Sequence, residues 1–269
     1  MVLISALTYA IGDVHGRSDL LGALLDFIEF DAEERKQEPR VIFLGDIVDR
    51  GPDSRHCIEL VISTLERWPK SRLLLGNHDD WFLRVLGTDD PDATVARAWF
   101  NNGGLPTICN YDYEPDLEMA RKAIKREYQH HIALFRSASL IEIDGSFAFV
   151  HAGVRPDRSI HEQERNDCLW IRKPFLEHLE PLSHVVVHGH TVTESRCPFI
   201  ASNRIALDTG AYATGHLTAL IADPIAGSIE FAWTTPGTSG SIVEFIDPVV
   251  AALPEALDGV RGRMARASR

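Results

Sequence analysis

Five short apolar runs in this chain each end in a glycine or alanine beside Asp, Asn or His, and that repetition constrains the fold more than any other feature. Leu7–Ile11 leads into Gly12-Asp13-Val14-His15-Gly16, and Val41–Leu44 into Gly45-Asp46-Ile47-Val48-Asp49-Arg50-Gly51. Leu73–Leu75 leads into Gly76-Asn77-His78-Asp79, Phe147–Val150 into His151-Ala152-Gly153, and Val185–Val187 into His188-Gly189-His190. Runs of this length bounded by Gly read as strands buried on both faces. Helical periodicity separates the first three. Ser18 stands where it can cap a helix carrying Leu20, Leu21, Leu24, Leu25 and Ile28 on one stripe, and a second helix runs from about Asp53 to Trp68 with Ile58, Val61, Ile62 and Leu65 inward. Strand–helix–strand repetition predicts a mostly parallel sheet, and such sheets bind ligands beyond the carboxyl ends of their strands. All five polar clusters fall at that edge.

The rest of the chain follows less regular patterns. Residues from about Gly87 to Arg136 read as helical and irregular, broken at Asn102-Gly103-Gly104 and Leu105-Pro106, an insertion that covers one side of the site. Trp99 and Phe100 read as core of that insertion, and His130-His131 as a solvated or half-buried pair on an amphipathic helix. Arg204–Asp208 and Leu217–Ile221 read as strands, Asp223-Pro224 and Gly227 mark a turn into Ser228–Trp233, and Thr234–Ser241 reads as a loop. The 269 residues suit one domain over 1–250, followed by a tail over 251–269 whose Arg261, Arg263, Arg266 and Arg269 read as a solvated terminus.

A net charge of −12 argues against a non-specific nucleic-acid binder, which needs a basic stripe. It leaves a phosphate substrate open, because bound metal ions reverse the local sign. No apolar run approaches the roughly 18 residues of a membrane span, so no membrane partner is expected. Val2–Ile11 is apolar enough to mimic an export signal, but no Lys or Arg precedes it and it runs into Asp13 and His15, so it reads as a first buried strand. Cys57, Cys109, Cys168 and Cys197 form no C-x-x-C pair and read as reduced thiols of a cytoplasmic protein.

Taken together, Asp13, His15, Asp46, Asn77, His151 and His190 supply carboxylate, imidazole and amide donors without a thiolate. That set suits divalent manganese, iron or zinc and disfavours a structural zinc knot. Six protein ligands exceed what one catalytic ion takes while keeping open positions, so two ions sharing one carboxylate fit better.

These motifs resemble the phosphoprotein phosphatase branch of the calcineurin-like metallophosphoesterases, over about residues 8 to 220. The segments Gly12–Gly16, Gly45–Gly51 and Gly76–Asp79 are similar to that family's three signature motifs, and His151 and His190 match its two later histidines. The resemblance implies an α/β fold in which two mixed β-sheets form a sandwich flanked by helices. It also implies that Asp13 and His15 hold a first metal, that Asp46 bridges both, and that Asn77, His151 and His190 complete the second. His188 is the nearest rival to His190, but Gly189-His190-Thr191 matches the family pattern.

The chemistry expected of such a site is hydrolysis by a hydroxide that two divalent ions generate and share, attacking phosphorus in line. Arg50 is placed to bind the nonbridging oxygens, with Arg172, after Trp170-Ile171, as a second phosphate-binding arginine. His78, next to Asn77, is expected to be the general acid and Asp49 the carboxylate that orients it. Two ions, the two arginines and the acidic ligands leave the site at roughly +3, which draws an anion into an acidic chain. The leading substrate reading is phosphoserine or phosphothreonine, with phosphotyrosine also open, in proteins or as a phosphorylated small molecule. The resemblance is to small bacterial enzymes and implies no regulatory subunit. The alternative is a symmetrical diadenosine tetraphosphate hydrolase on the same scaffold. Asp49 favours the phosphatase, because many members of the other branch lack it.

Overall fold

Alternation along single strands decides the layering. In β1 (Thr8–Ile11), Tyr9 and Ile11 join one apolar cluster while Ala10 joins another, so the strand is covered on both faces. A computed structural model describes residues 4–112, 116–238 and 240–260. After β1 come α1 (Ser18–Arg35), β2 (Arg40–Phe43), α2 (Ser54–Arg67), β3 (Arg72–Leu73) and α3 (Asn77–Leu86). Four helices follow: α4 (Ala93–Asn101), α5 (Leu105–Cys109), α6 (Leu117–Glu127) and α7 (Gln129–Ser137). The second half holds β4 (Ile141–Asp144), β5 (Phe147–Val150), α8 (Arg165–Trp170), α9 (Lys173–Leu176), β6 (Val185–His188), β7 (Phe199–Ile200) and β8 (Arg204–Ala206). It closes with α10 (Ala211–Thr214), β9 (Thr218–Asp223), β10 (Ser228–Gly237), β11 (Gly240–Phe245) and β12 (Val249–Val250).

The strands form two six-stranded sheets, ordered β11-β10-β9-β1-β2-β3 and β12-β7-β8-β6-β5-β4. β1, β2 and β3 are parallel, as are β5, β6 and β8. The flanking strands β9, β4 and β7 run antiparallel to β1, β5 and β8. The chain therefore builds two mixed sheets, and the single mostly parallel sheet predicted from periodicity is corrected. Helical crossovers make the pairings around β1–β3 parallel, whereas hairpin returns later in the chain impose antiparallel ones.

Ala10, Ile42, Leu44 and Leu74 from the first sheet meet Phe147, Phe149, Val185, Val187 and Ile205 from the second in a common core. The other face of the first sheet packs on α1 and α2 through Leu20, Leu24, Ile28, Ile58 and Val61. The outer face of the second, with Ala148, Val150 and Val186, takes Cys168, Ile171 and Phe175. Each fully buried side chain of this size contributes roughly 1.5–3 kcal/mol.

Three local expectations change. Ser18 is the first residue of α1 rather than its cap, and its hydroxyl donates to Asp53 Oδ2 at 2.9 Å. Asp53 draws the hydroxyl away because it is itself the cap of α2, accepting from His56 N. The segment Thr234–Ser241 is largely a β-hairpin, since β10 runs on to Gly237 and β11 begins at Gly240. Pro236 is tolerated there because β9 pairs no further than Trp233, leaving Pro236 itself paired only with β11. Residues 1–3 lie outside the described residues, and of the described part of the apolar Val2–Ile11 run, Thr8–Ile11 alone is strand. Arg261, Arg263, Arg266 and Arg269 lie outside them too. All four cysteines are free. Among the described residues no helix is long and apolar enough to cross a membrane.

Candidate metal centre

The turns that follow β1, β2 and β6 use left-handed backbone at non-glycine residues: His15 (φ 47), Asp46 (φ 52), Asp49 (φ 76), Arg50 (φ 66) and His190 (φ 61). Each costs of order 1 kcal/mol or more, so the surrounding structure must hold it. Val14 N and His15 N both donate to Asp46 O, at 3.1 and 2.9 Å, tying the first turn to the second. The Asp79 carboxylate accepts from Asp46 N (2.8 Å), Ile47 N (2.9 Å) and Gly76 N (3.1 Å), tying the second turn to the third. Gly189 is required because a Cβ there would fall on Asp13 Oδ1. Without one, His190 N donates to both Asp13 oxygens at 3.1 Å, joining the two sheets.

These turns bring Asp13, His15, Asp46, Asn77, His151 and His190 to one place, all of them 9% exposed or less. Asp46 belongs to two donor triads, one with His15 and His78 and the other with His151 and His190. Its Oδ2 lies 3.6 Å from His15 Nε2 and its Oδ1 lies 3.5 Å from His151 Nε2. Asp13 Oδ2 is 3.9 Å from His15 Nε2. Asn77 Oδ1 lies 3.0 Å from His151 Nε2 and 2.8 Å from His190 Nδ1. His188 stands apart, its ring edge-on to Phe175 at 5.1 Å.

The donor set fits divalent cations. Val48 O fixes His15 Nδ1 at 2.9 Å, and Leu44 O fixes His151 Nδ1 at the same distance. Those carbonyls hold the ring protons, so each Nε2 presents a lone pair inward. His15 Nε2 and His190 Nε2 are buried without any hydrogen-bond partner. Burial, with Asp208 and Asp46 nearby, pushes Asp13 well above the ordinary carboxylate range, and burial with Asp79 nearby does the same to Asp46. Burial drops His151 to about 3 and His190 to about 2, keeping both rings neutral. Neutral imidazoles and crowded, desolvated carboxylates are what bound cations stabilise.

Beside the candidate ligands lies a second arrangement. His78 Nδ1 is 2.7 Å from Asp49 Oδ2. Trp99 Nε1 donates to that same oxygen at 2.6 Å, and Thr107 Oγ1 donates to Asp49 Oδ1 at 2.6 Å. Burial pushes Asp49 up to about 8, against the pull of Thr107 and Trp99, while burial and Arg50 drop His78 to about 3. Arg50 Nη2 stands 3.1 Å from His78 Nε2, and its guanidinium lies over the Tyr212 ring at 4.8 Å. Arg50 N donates to Gly103 O at 2.9 Å, so the helical insertion holds both Asp49 and Arg50.

Arg172 is placed less closely. It is exposed at the start of α9, near enough for its charge to act on His190 and Asp208, and it makes no hydrogen bond to the ligands among the described residues. Four residues near the site carry no role in the sequence reading. Trp99 and Thr107 are donors to Asp49, Tyr212 supports Arg50, and buried Asp208 faces Asp13. The Asp208-Thr209-Gly210 turn and its neighbour Tyr212 are visible in the sequence as a polar stop after a strand, a signal that marks Asp208 and Tyr212 but not Trp99 or Thr107. Far from this centre, Glu59 Oε1 takes His130 Nε2 at 3.1 Å and His131 Nε2 at 2.8 Å, a separate cluster on the insertion.

Two mixed sheets with carboxylates and imidazoles gathered at their strand ends define a class of metal-dependent phosphoesterase. The family model for calcineurin-like phosphoesterases matches residues 7–217, and the chain belongs to that family. It is similar to the asymmetrical bis(5'-nucleosyl)-tetraphosphatase PrpE of Anoxybacillus flavithermus, 28% identical over 231 residues that cover 78% of this chain and 88% of that one. A symmetrical bis(5'-nucleosyl)-tetraphosphatase of Nitrosospira multiformis is 29% identical over 156 residues, 58% of this chain and 46% of that relative, so the match spans less than half of that enzyme. A solved structure of a candidate diadenosine tetraphosphatase, 20% identical, aligns over 87% of this chain and 95% of its own with a TM-score of 0.58, a likeness of fold.

Proposed function

We propose that this chain is a dinuclear metal-dependent hydrolase that cleaves a dinucleoside tetraphosphate. The observation that carries the chemistry is Asp46, shared between two donor triads of buried histidines. The substrate is argued from the relative matched along 88% of its own length, a bis(5'-nucleosyl)-tetraphosphatase. This reading reverses the order of preference drawn from the sequence.

Asp13 and His15 would hold one cation, Asn77, His151 and His190 the other, and Asp46 both. Manganese is our choice of metal, with iron or zinc as the other candidates. When bound, such a pair acidifies a water and offsets the charge of the phosphate chain. Arg50, together with Arg172 at the rim, binds nonbridging oxygens. In the arrangement described above, Arg50 donates to His78 Nε2, which therefore has a lone pair and no proton. Moving Arg50 onto a phosphate oxygen frees that nitrogen. His78 then takes up a proton from solvent water at Nε2, with the ionised Asp49 stabilising the imidazolium through Nδ1, and delivers it to the departing oxygen. The free thiols are compatible with a cytoplasmic setting, and no regulatory subunit is invoked.

A second reading, phosphomonoester hydrolysis on serine, threonine or tyrosine of a phosphoprotein, is favoured by the Asp49–His78 pair itself. An alkoxide leaves only with a proton, whereas a nucleotide leaves more easily without one. The manganese-loaded protein should be given diadenosine tetraphosphate and a phosphoserine peptide side by side, with products separated chromatographically. Cleavage of the dinucleotide to ATP and AMP, or to two ADP, supports the first reading. Turnover of the peptide alone overturns it in favour of the second.

A further inference from the structure

The histidine pair of the insertion, which the sequence presents as solvated or half-buried, is met in the fold by a third donor from a distant part of the chain. His130 and His131 stand side by side near the start of α7, and Glu59 comes from α2. Successive side chains of a helix project about 100° apart. Here both imidazoles nevertheless turn to one point. Glu59 Oε1 lies 3.1 Å from His130 Nε2 and 2.8 Å from His131 Nε2, and the two ring centroids are 4.3 Å apart. One donor atom from each of the three residues falls within 4.8 Å of the other two.

Two imidazole nitrogens and one carboxylate oxygen are a zinc donor set, and three protein ligands leave the fourth position to water. A tetrahedral ion with metal–ligand bonds of about 2.0–2.1 Å sets its donors roughly 3.3–3.4 Å apart. The two nitrogen–oxygen separations fall short of that by little more than half an ångström at most, so a small backward turn of Glu59 opens the space. The Glu59 and His130 side chains are 42% and 48% exposed, which lets them make that movement and lets an ion enter from solvent.

His131 is the fixed member. Its side chain is wholly buried, and its Nδ1 lies 2.7 Å from Tyr111 Oη. A hydroxyl serves either tautomer. It donates to Nδ1 while Nε2 carries the ring proton toward Glu59, or it accepts from Nδ1–H while Nε2 gives its lone pair to a metal. The second arrangement, an imidazole held from behind by an oxygen, is the one that orients metal-binding histidines, and His15 and His151 show it at the main centre. Burial, against the pull of Glu59, holds the His131 ring below the ordinary imidazole value and so keeps it neutral. The positive charge of Arg55 is already engaged, donating to Tyr128 Oη at 3.0 Å and lying over that ring at 5.6 Å.

We propose that Glu59, His130 and His131 form a separate zinc site that pins the last helix of the insertion to α2. Imidazole donors favour zinc over manganese there. The ion joins segments about 70 residues apart in sequence and firms the docking of the insertion that brings Trp99 and Thr107 to Asp49.

The test is dialysis of the full chain against micromolar free zinc, followed by elemental analysis of the parent and of His130→Ala and Glu59→Gln. Each variant should hold one zinc per chain fewer than the parent. The count is a difference, so it stands whatever the main centre binds. His161→Ala, at an exposed histidine outside the cluster, should leave the count unchanged. Zinc should also raise the melting temperature of the parent more than that of either cluster variant, because an ion held only by the folded chain stabilises it. His130 and Glu59 are both largely exposed, so their variants keep the fold, which circular dichroism checks. Equal zinc content in the parent and both cluster variants overturns the proposal, as does a loss in His161→Ala as large as in His130→Ala. Cluster variants that melt lower than the parent without zinc, yet gain as much from zinc, would show a hydrogen-bonded clasp in place of a metal site.

Discussion

Asp49 Oδ2 lies 2.7 Å from Nδ1 of His78, on the side of the ring opposite the nitrogen that Arg50 approaches at 3.1 Å. The imidazole is thus held between a carboxylate that orients it and a guanidinium that leaves it when phosphate arrives. Replacing His78 by Asn should lower turnover by about 10²–10⁴-fold, the usual range for a lost acid or base, with metal content by elemental analysis unchanged. The loss should be larger for an alkyl phosphate than for p-nitrophenyl phosphate, whose phenolate leaves without help. Equal losses on both esters would remove His78 from proton transfer.

Asp49 depends in turn on two donors from the insertion. Trp99→Phe removes the indole N–H at 2.6 Å together with part of a buried ring, and Thr107→Val removes the hydroxyl at 2.6 Å with little change in volume. Each should reduce turnover about 10–100-fold, as loss of an orienting hydrogen bond does in metal sites. The measurement is kcat and KM for each variant. The effect belongs in kcat, because neither residue reaches substrate.

The candidate ligands were legible because each one sits inside a contiguous motif where a buried strand stops. Asp13, Asp46 and Asn77 are each preceded by the glycine that lets the chain turn. The donors to Asp49 were not, because they lie 50 and 58 residues away in a region with no regular period, and only the packing of α4 and α5 against the second turn brings them in. Trp99 read correctly as buried core of the insertion, but burial gave no hint that its N–H had a task. The hairpin over β10 and β11 was hidden for a different reason. Pro, Gly and Ser argue for a loop, and what overrides them is that the outer strand leaves an edge where a proline needs no second partner. The two-sheet division was not in the periodicity either, since β1–β3 and β5–β6 have the same apolar signature and only tertiary packing separates them.

Asp79 governs the second turn without facing the ligands. Its oxygens accept three backbone N–H groups, including that of Asp46 at φ 52. Asp79→Ala leaves those donors buried and unpaired and should cost about 3 kcal/mol of stability, read by chemical denaturation. It should also weaken metal binding, because Asp46 N and Ile47 N lose the acceptor that helps hold that turn in its conformation. By contrast, Asp46→Asn should release both cations with a smaller loss of fold, since the asparagine carbonyl can still accept from His78 N as Asp46 Oδ1 does at 2.8 Å. Retention of one full equivalent of metal in Asp46→Asn would contradict a shared ligand.

Arg35 ties the end of α1 to the far side of the first sheet. It reaches Asp31 at 2.8 Å, Asp223 at 3.0 Å and Glu230 at 2.6 Å, and all four side chains are 15% exposed or less. Burial alone would raise the Asp223 carboxyl. The Ala226 N–H, the Gln37 amide and Arg35 outweigh it and hold Asp223 below the ordinary value. A carboxylate whose pKa is lower in the folded chain than in the unfolded one stabilises the fold above the unfolded value, near pH 4, and that contribution vanishes as pH falls through the lowered one. Arg35→Met should therefore cost about 2–3 kcal/mol at pH 7, leaving carboxylates crowded without their cation. The gap between variant and parent should narrow steadily below about pH 4, as the parent loses the same contribution. The exposed Arg155–Asp157 pair offers the control: its charges are solvated, so Arg155→Met should leave the denaturation midpoint unchanged across that range. A gap for Arg35→Met that stays constant from pH 7 to pH 3 would show that the arginine acts by packing its stem rather than by its charge.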